Sequence, residues 1–181
     1  MNYRSRPQLI FYGPPGTGKT YLATRLARHL TEDGAVKLVQ FHPSYTYEDF
    51  FEGFRPSPGG DGSLTFTLRA GPFRDFAEVA AANPSTAYIL IIDEINRANL
   101  AKVFGELYFL LEYRDSSISL HYSPDKEFTL PQNLFIIGTM KHRRPVHRAH
   151  RHRHAAPLLV RRTGPAHSPG ARAARPVAFS Q

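Results

Sequence analysis

The strongest constraint on the fold is a glycine-rich motif near the start of the chain, G-x-x-x-x-G-K-[ST], which predicts a phosphate-binding loop. It reads Gly13-Pro14-Pro15-Gly16-Thr17-Gly18-Lys19-Thr20. A short apolar run, residues 8–12, precedes it as a predicted strand, and residues 19–30 follow with the apolar spacing of a helix. Glycine lets the backbone curl so that its N–H groups face phosphate oxygens, and the helix N-terminus adds partial positive charge.

The residue types of the loop indicate a nucleoside triphosphate as its ligand. Lys19 is expected to bridge the β- and γ-phosphates as a point charge, and the Thr20 hydroxyl is expected to bind Mg²⁺. The remaining loop residues are expected to bind phosphate through their backbone; they are Gly13, Pro14, Pro15, Gly16, Thr17 and Gly18. The alternative is a turn that binds nothing. It does not explain why the motif stands between a predicted strand and a predicted helix.

A second signature lies about 75 residues downstream, where the apolar run 88–92 ends in Asp93 and Glu94. Such a run is typical of a strand buried on both faces, and a parallel strand presents its carboxyl end to the ligand crevice. Asp93 is expected to hold Mg²⁺, and Glu94 is expected to act as general base on the attacking water. The alternative is that both residues only begin a helix as cap and first-turn acids.

Strands and helices alternate along the first 140 residues, which predicts an α/β fold with a parallel sheet. Further strands are expected at 36–41, 64–68 and 134–137. Helices are expected at 47–54, 73–82 and 100–113. The aromatic residues Phe50, Phe51 and Phe54 are assigned to core packing rather than to base stacking.

The excess of basic over acidic residues lies entirely at the end of the chain. Residues 1–140 contain 13 basic and 15 acidic residues, whereas residues 141–181 contain 10 basic and no acidic ones, with six of the nine His. The division therefore predicts a core at 1–140 and a basic, disordered tail at 141–181.

The chain has no Cys, which excludes disulfides, Cys zinc sites and a thiol nucleophile. No apolar run is long enough to span a membrane, so a cytoplasmic location is expected.

The two signatures, together with the aromatic stretch 41–56 and the segment 104–112, resemble an AAA+ NTPase of the dynein-related, MoxR and McrB group. The segment 93–99 suits the whole group, whereas 41–56 and 104–108 are similar to the McrB branch. The resemblance implies a P-loop NTPase three-layer sandwich that binds and hydrolyses ATP or GTP with Mg²⁺. It also implies a homo-oligomeric ring that works with a nuclease subunit on DNA in a modification-dependent restriction system. Asn96 and Arg97 are expected near the active site or a subunit interface.

The family pattern breaks after Met140. There the family has an Asn that senses the γ-phosphate, followed by Thr-Ala-Asp and an arginine-rich stretch, whereas this chain continues with Lys141. Codons permitted for residues 141–155 read Asn-Thr-Ala-Asp-Arg-Ser-Ile-Ala-Leu-Ile-Asp-Thr-Ala-Met-Arg once one A is deleted from the first codon. The hypothesis is therefore that 141–181 is an out-of-frame product. It predicts a sheet truncated before its last strand, no helical lid, no arginine finger and impaired hydrolysis.

Three other interpretations stay open. A MoxR-like chaperone ATPase would share the phosphate loop and the Asp93–Glu94 pair. A non-enzymatic nucleic-acid-binding protein would use the basic tail on phosphates. The five His at 142–154 could bind a metal, although the Arg residues between them would repel a cation.

Overall fold

The computed structural model describes residues 8–60, 63–141 and 159–162. The helices and strands follow one another as β1 (Gln8–Gly13), α1 (Lys19–Leu30), β2 (Val36–Gln40), α2 (Tyr47–Phe50), β3 (Glu52–Pro58), β4 (Leu64–Ala70), α3 (Pro72–Ala82), β5 (Tyr88–Asp93), α4 (Leu100–Phe104), α5 (Leu107–Glu112), β6 (Ser117–Ser119), β7 (Glu127–Thr129), β8 (Leu134–Lys141) and β9 (Leu159–Arg162). Two short 3₁₀ turns, Asp33–Ala35 and Ile95–Arg97, precede β2 and α4.

A central sheet in the order β2-β5-β8-β1-β9 organises the molecule. Its first four strands are parallel, as predicted. The register pairs Ile92 with Gly138 and Gly13 with Lys141, so the carboxyl ends of β1, β5 and β8 meet at one edge. The predicted α/β fold with a parallel sheet is confirmed, and no helical lid occurs in the described part of the chain.

The edge of β1 is paired, although the sheet was predicted to be truncated before its last strand. β9 runs antiparallel to β1, with Leu9 opposite Arg162 and Tyr12 opposite Leu159. An open strand edge leaves backbone N–H and C=O groups without partners, and any extended segment can satisfy them whatever its side chains are. β9 and Lys141 are the described residues of the predicted tail 141–181, and the rest of that tail lies outside the described residues.

Helices cover both faces of the sheet, which is the predicted three-layer arrangement. Alternate residues of β5 point to opposite faces: Ile89 and Ile91 pack with Ala23 and Ala27 of α1. Leu90 and Ile92 belong to the larger core beneath α2 to α5. Phe50 and Phe51 are fully buried in that larger core, which agrees with their assignment to packing. The assignment of Phe54 to the core is wrong: it lies on β3, in the hairpin outside the central sheet, and its side chain is 52 % exposed.

Two predicted helices differ from the structure. The expected helix at 47–54 ends at Phe50, and the chain continues as β3, which pairs with β4 in an antiparallel hairpin. The expected helix at 100–113 is divided into α4 and α5 at Gly105 (φ +50°), beside the ring of Tyr47. A glycine with a positive φ ends a helix at little cost. The helical spacing of apolar residues continues across Gly105, so the sequence pattern did not reveal the break.

The short hairpin of β6 and β7 was not predicted from the sequence. Its strands have three residues each, too few to show an alternating pattern. Within the described residues, no helix combines the length and the hydropathy that crossing a membrane would require.

Candidate functional site

The predicted phosphate loop connects β1 to α1 and has the backbone that its sequence demands. Gly16 and Gly18 have φ angles of +78° and +74°, in the left-handed region that side chains with a Cβ rarely adopt. A Cβ at either position would meet no atom within 4 Å, so backbone conformation and not space is what demands glycine there. Gly18 is the N-cap of α1, and the positive end of the helix dipole lies at the loop.

Lys19 lies inside this loop. Its Nζ donates hydrogen bonds to the carbonyl oxygens of Gly13 (3.0 Å) and Pro14 (2.6 Å), and it is buried. The Thr17 hydroxyl also donates to Pro14 O, at 2.9 Å. The ammonium group is therefore held against the carbonyl groups at the start of the loop.

The two sequence signatures meet at one carboxylate oxygen. The Thr20 hydroxyl donates to Asp93 Oδ1 at 2.7 Å, although the two residues are 73 positions apart. The Thr139 hydroxyl, from the end of β8, donates to the same oxygen. Asp93 ends β5 and Thr20 lies in the first turn of α1, so the register of the sheet brings them together.

The backbone of Glu94 is strained. Its φ and ψ are 57° and 38°, and it is the one described residue other than glycine with a positive φ. Its N–H donates to Thr139 Oγ1 at 3.2 Å, and the residue is 6 % exposed. A left-handed glutamate costs on the order of 1 kcal/mol and persists only where its surroundings hold it, which is typical of functional sites.

Lys141 forms an ion pair with Glu94 through Nζ and Oε1. The Asn96 side chain donates to the carbonyl oxygen of Lys141 at 3.1 Å. The expected place of Asn96 near this site therefore corresponds to a contact with the backbone of Lys141.

Thr139 was not predicted to be a member of the site, and Lys141 was considered only as the replacement of a sensor residue. A signal for both was present, because both follow the predicted strand 134–137, and the carboxyl ends of neighbouring parallel strands share one edge. Which polar residue would reach Asp93 or Glu94 depends on the register between β5 and β8.

The donor set at Thr20 and Asp93 fits Mg²⁺. Both supply hard oxygen atoms, and Mg²⁺ in nucleotide sites usually takes one or two protein ligands together with substrate phosphates and water. In the described ranges, no group of three or more His, Asp or Glu side chains is placed to hold a metal by itself. The five His proposed as an alternative metal site lie outside the described residues.

Comparison with known proteins shows the family to which this sequence is similar. The AAA domain family (dynein-related subfamily) matches residues 8–162, past the composition break at Met140. The chain is 46 % identical over 144 residues to the type IV methyl-directed restriction enzyme EcoKMcrB subunit of Escherichia coli (strain K12), which covers 75 % of this chain and 30 % of that protein. It is 31 % identical over 169 residues to the type II restriction enzyme BsuMI component YdiS of Bacillus subtilis (strain 168), covering 72 % of this chain and 49 % of that one.

The chain thus spans between about a third and a half of the length of these restriction-system relatives. The matched region contains the predicted phosphate loop, the Asp93–Glu94 pair and β8, which carries Thr139. With the parallel sheet and both signatures on one edge, the chain belongs to the dynein-related AAA domain family, and within it to the McrB branch of AAA+ NTPases.

Proposed function

We propose that this chain binds a nucleoside triphosphate, ATP or GTP, together with Mg²⁺, and hydrolyses it as a motor subunit of McrB type. The observation that carries the proposal is the hydrogen bond from Thr20 to Asp93, because it joins the phosphate loop to the acidic strand end. Bound Mg²⁺ supplies charge neutralisation on the β- and γ-phosphates. Thr20 and Asp93 are the residues that would hold it.

The proposed roles of the other site residues follow from where they lie around the loop and the end of β5. Loop N–H groups and the Lys19 ammonium bind phosphate oxygens, and the N-terminus of α1 adds to their positive potential. Glu94 accepts a proton from the attacking water, whose oxygen bonds to the γ-phosphorus while the bond to the bridging oxygen breaks. The leaving nucleoside diphosphate takes the electron pair of that bond.

A binding experiment tests the phosphate loop. Fluorescent ATP and GTP analogues are titrated into wild type and Lys19→Ala, with Lys126→Ala, an exposed lysine before β7, as the matched control. A charge-assisted contact is worth about 1.5–3 kcal/mol, so Lys19→Ala should weaken binding by roughly 10- to 100-fold, while Lys126→Ala binds as wild type. Equal affinity of the two lysine variants would contradict the assignment, and the tighter analogue identifies the preferred base.

A turnover experiment tests Glu94. Glu94→Gln should bind nucleotide as wild type but lose whatever hydrolysis the wild type shows, by about 10²–10⁴ in rate. Hydrolysis that persists in Glu94→Gln at the wild-type rate would remove Glu94 from the mechanism.

The assembly is proposed from the relatives. Two restriction-enzyme components are among them, so we infer a homo-oligomeric ring that works with a nuclease subunit on DNA. Sedimentation with and without a non-hydrolysable nucleotide tests ring formation. A monomer under both conditions would contradict it for this chain.

The origin of residues 141–181 is tested at the level of the gene. Reading the source DNA across codons 139–143 shows whether one A is present in excess. Codons that restore no family frame would refute the frameshift hypothesis, and the basic segment would then be treated as a nucleic-acid-binding arm.

A further inference from the structure

The ion pair between Lys141 and Glu94 lies where the proposed general base must contact water. Lys141 is the last residue of β8, and the sheet register places it opposite Gly13, the first residue of the phosphate loop. Its ammonium contacts Oε1 of Glu94. The strand that ends beside the loop therefore also places a cation on the carboxylate.

Both partners are held by their backbones. Glu94 is fixed in its left-handed conformation by the hydrogen bond from its N–H to Thr139, and its side chain is 8 % exposed. Lys141 is fixed by strand pairing and by Asn96, which donates to its carbonyl oxygen at 3.1 Å. The contact thus does not depend on two long side chains meeting by chance on a surface.

We propose that Lys141 is a positioning residue that holds the Glu94 carboxylate in an ion pair and so keeps this chain in a state that binds nucleotide but hydrolyses it slowly. The inference rests on the proposed function of the same site. The ammonium takes one acceptor position on Oε1 and holds the carboxylate in one orientation. In this proposal the carboxylate turns toward the attacking water only when the ion pair opens.

The size of the effect follows from exposure. The Lys141 side chain is 49 % exposed, so its attraction to Glu94 is partly screened by solvent. Pairs of this kind shift the population of the free carboxylate by about fivefold, which corresponds to about 1 kcal/mol. Removing the charge at 141 should therefore raise the hydrolysis rate about fivefold, not by the full contribution of a general base.

The experiment compares Lys141→Met, which keeps the side-chain length without its charge, with Lys141→Arg, which keeps the charge. Single-turnover hydrolysis is measured on the full chain at saturating Mg²⁺-nucleotide, and Kd is measured separately with a non-hydrolysable analogue. We expect Lys141→Met to turn over about fivefold faster and Lys141→Arg to stay near wild type. Lys141→Asn, with the residue that the family resemblance places there, should also be faster. Lys126→Met is the matched control and should change nothing.

Two further readouts separate positioning from a structural role. In a Glu94→Gln background, Lys141→Met should have no effect on rate, because there is no carboxylate to release. The rate ratio of Lys141→Met to wild type should also fall as salt rises from about 0.1 M to about 1 M, since screening opens the pair in wild type. In ¹⁵N-lysine spectra, the Lys141 side-chain signal should shift on Glu94→Gln.

The outcomes distinguish this inference from the proposed function. Failure of the wild type to bind either nucleotide would refute the proposed function. Normal binding with an unchanged or lower rate in Lys141→Met, or with no hydrolysis in any variant, would overturn the role of Lys141 and leave nucleotide binding intact. A faster Lys141→Arg would likewise overturn it, because the charge is retained there.

Discussion

Two buried glutamates, Glu52 and Glu94, each form an ion pair, but they lie in different surroundings. Glu52, at the start of β3, is fully buried and pairs with Arg74 of α3, whose side chain is only 13 % exposed. Ser123 donates to the same carboxylate oxygen at 3.2 Å. Glu94 lies at the carboxyl edge of the sheet, its backbone is left-handed, and its cation is half exposed.

The difference separates a structural ion pair from the ion pair of the proposed general base. The Glu52 pair joins a hairpin to a helix in the interior, where the fully buried carboxylate cannot return to water if Arg74 is lost. The Glu94 pair lies beside the phosphate loop, where its cation can be solvated and its carboxylate can be released. Burial of a carboxylate alone does not indicate catalysis. The two sites differ in the solvent exposure of the paired cation and in the backbone strain of the glutamate.

The largest expected effect is on stability, from Arg74→Met. It leaves the Glu52 carboxylate buried without its cation, and such a loss costs about 3–5 kcal/mol of unfolding free energy. Urea unfolding measures it. Arg55→Met, which removes an exposed pair with Asp49 (2.8 Å), is the control and should cost at most about 1 kcal/mol. Equal losses of unfolding free energy in the two variants would contradict the expected difference between the buried and the exposed ion pair.

A smaller, pH-dependent effect is expected from Tyr122→Phe. The Tyr122 hydroxyl donates to Glu48 at 2.6 Å and lowers the pKa of that carboxyl below its ordinary value of 4.5. A lowered folded-state pKa stabilises the protein above the unfolded-state pKa, and this stability is lost as the pH falls through the folded value.

We therefore expect Tyr122→Phe to lose about 1 kcal/mol at neutral pH, with a difference from wild type that shrinks below about pH 4.5. Unfolding at several pH values measures this. Tyr108→Phe, at an exposed tyrosine on α5, is the control. A loss that stays constant down to acid pH would assign the effect to packing and not to the carboxylate.

The smallest expected effect is a gain in stability, and it tests the comparison of the two glutamates. Glu94→Asn should raise stability by about 0.5–1 kcal/mol, because Asn tolerates the left-handed backbone and Lys141 returns to water. Glu52→Gln should lower stability, because a neutral amide accepts a weaker hydrogen bond from Arg74 and forms no ion pair with it. Destabilisation by Glu94→Asn in thermal unfolding would show that the site holds no stored strain.

Much of the fold and of the site follows from local sequence. The bounds of α1 were predicted to the residue, because Gly18 precedes it and its apolar residues repeat at helical spacing. The loop and the Asp93–Glu94 pair were recognised from residue order alone. The helix at 47–54 was predicted too long, because the same aromatic residues suit a helix or a buried turn into β3. Gly105 divided another helix for a reason visible only beside Tyr47.

By itself, the sequence determined the phosphate loop, the acidic strand end and the alternation of strands with helices. Each of these depends on neighbours along the chain, namely glycine backbone freedom, apolar runs and helix starts. The tertiary structure decided that Thr20, Asp93 and Thr139 share one oxygen, that β9 covers β1, and that Lys141 contacts Glu94. These contacts depend on the register between strands far apart in sequence, because hydrogen bonding across the sheet, and not residue order, sets which side chains meet.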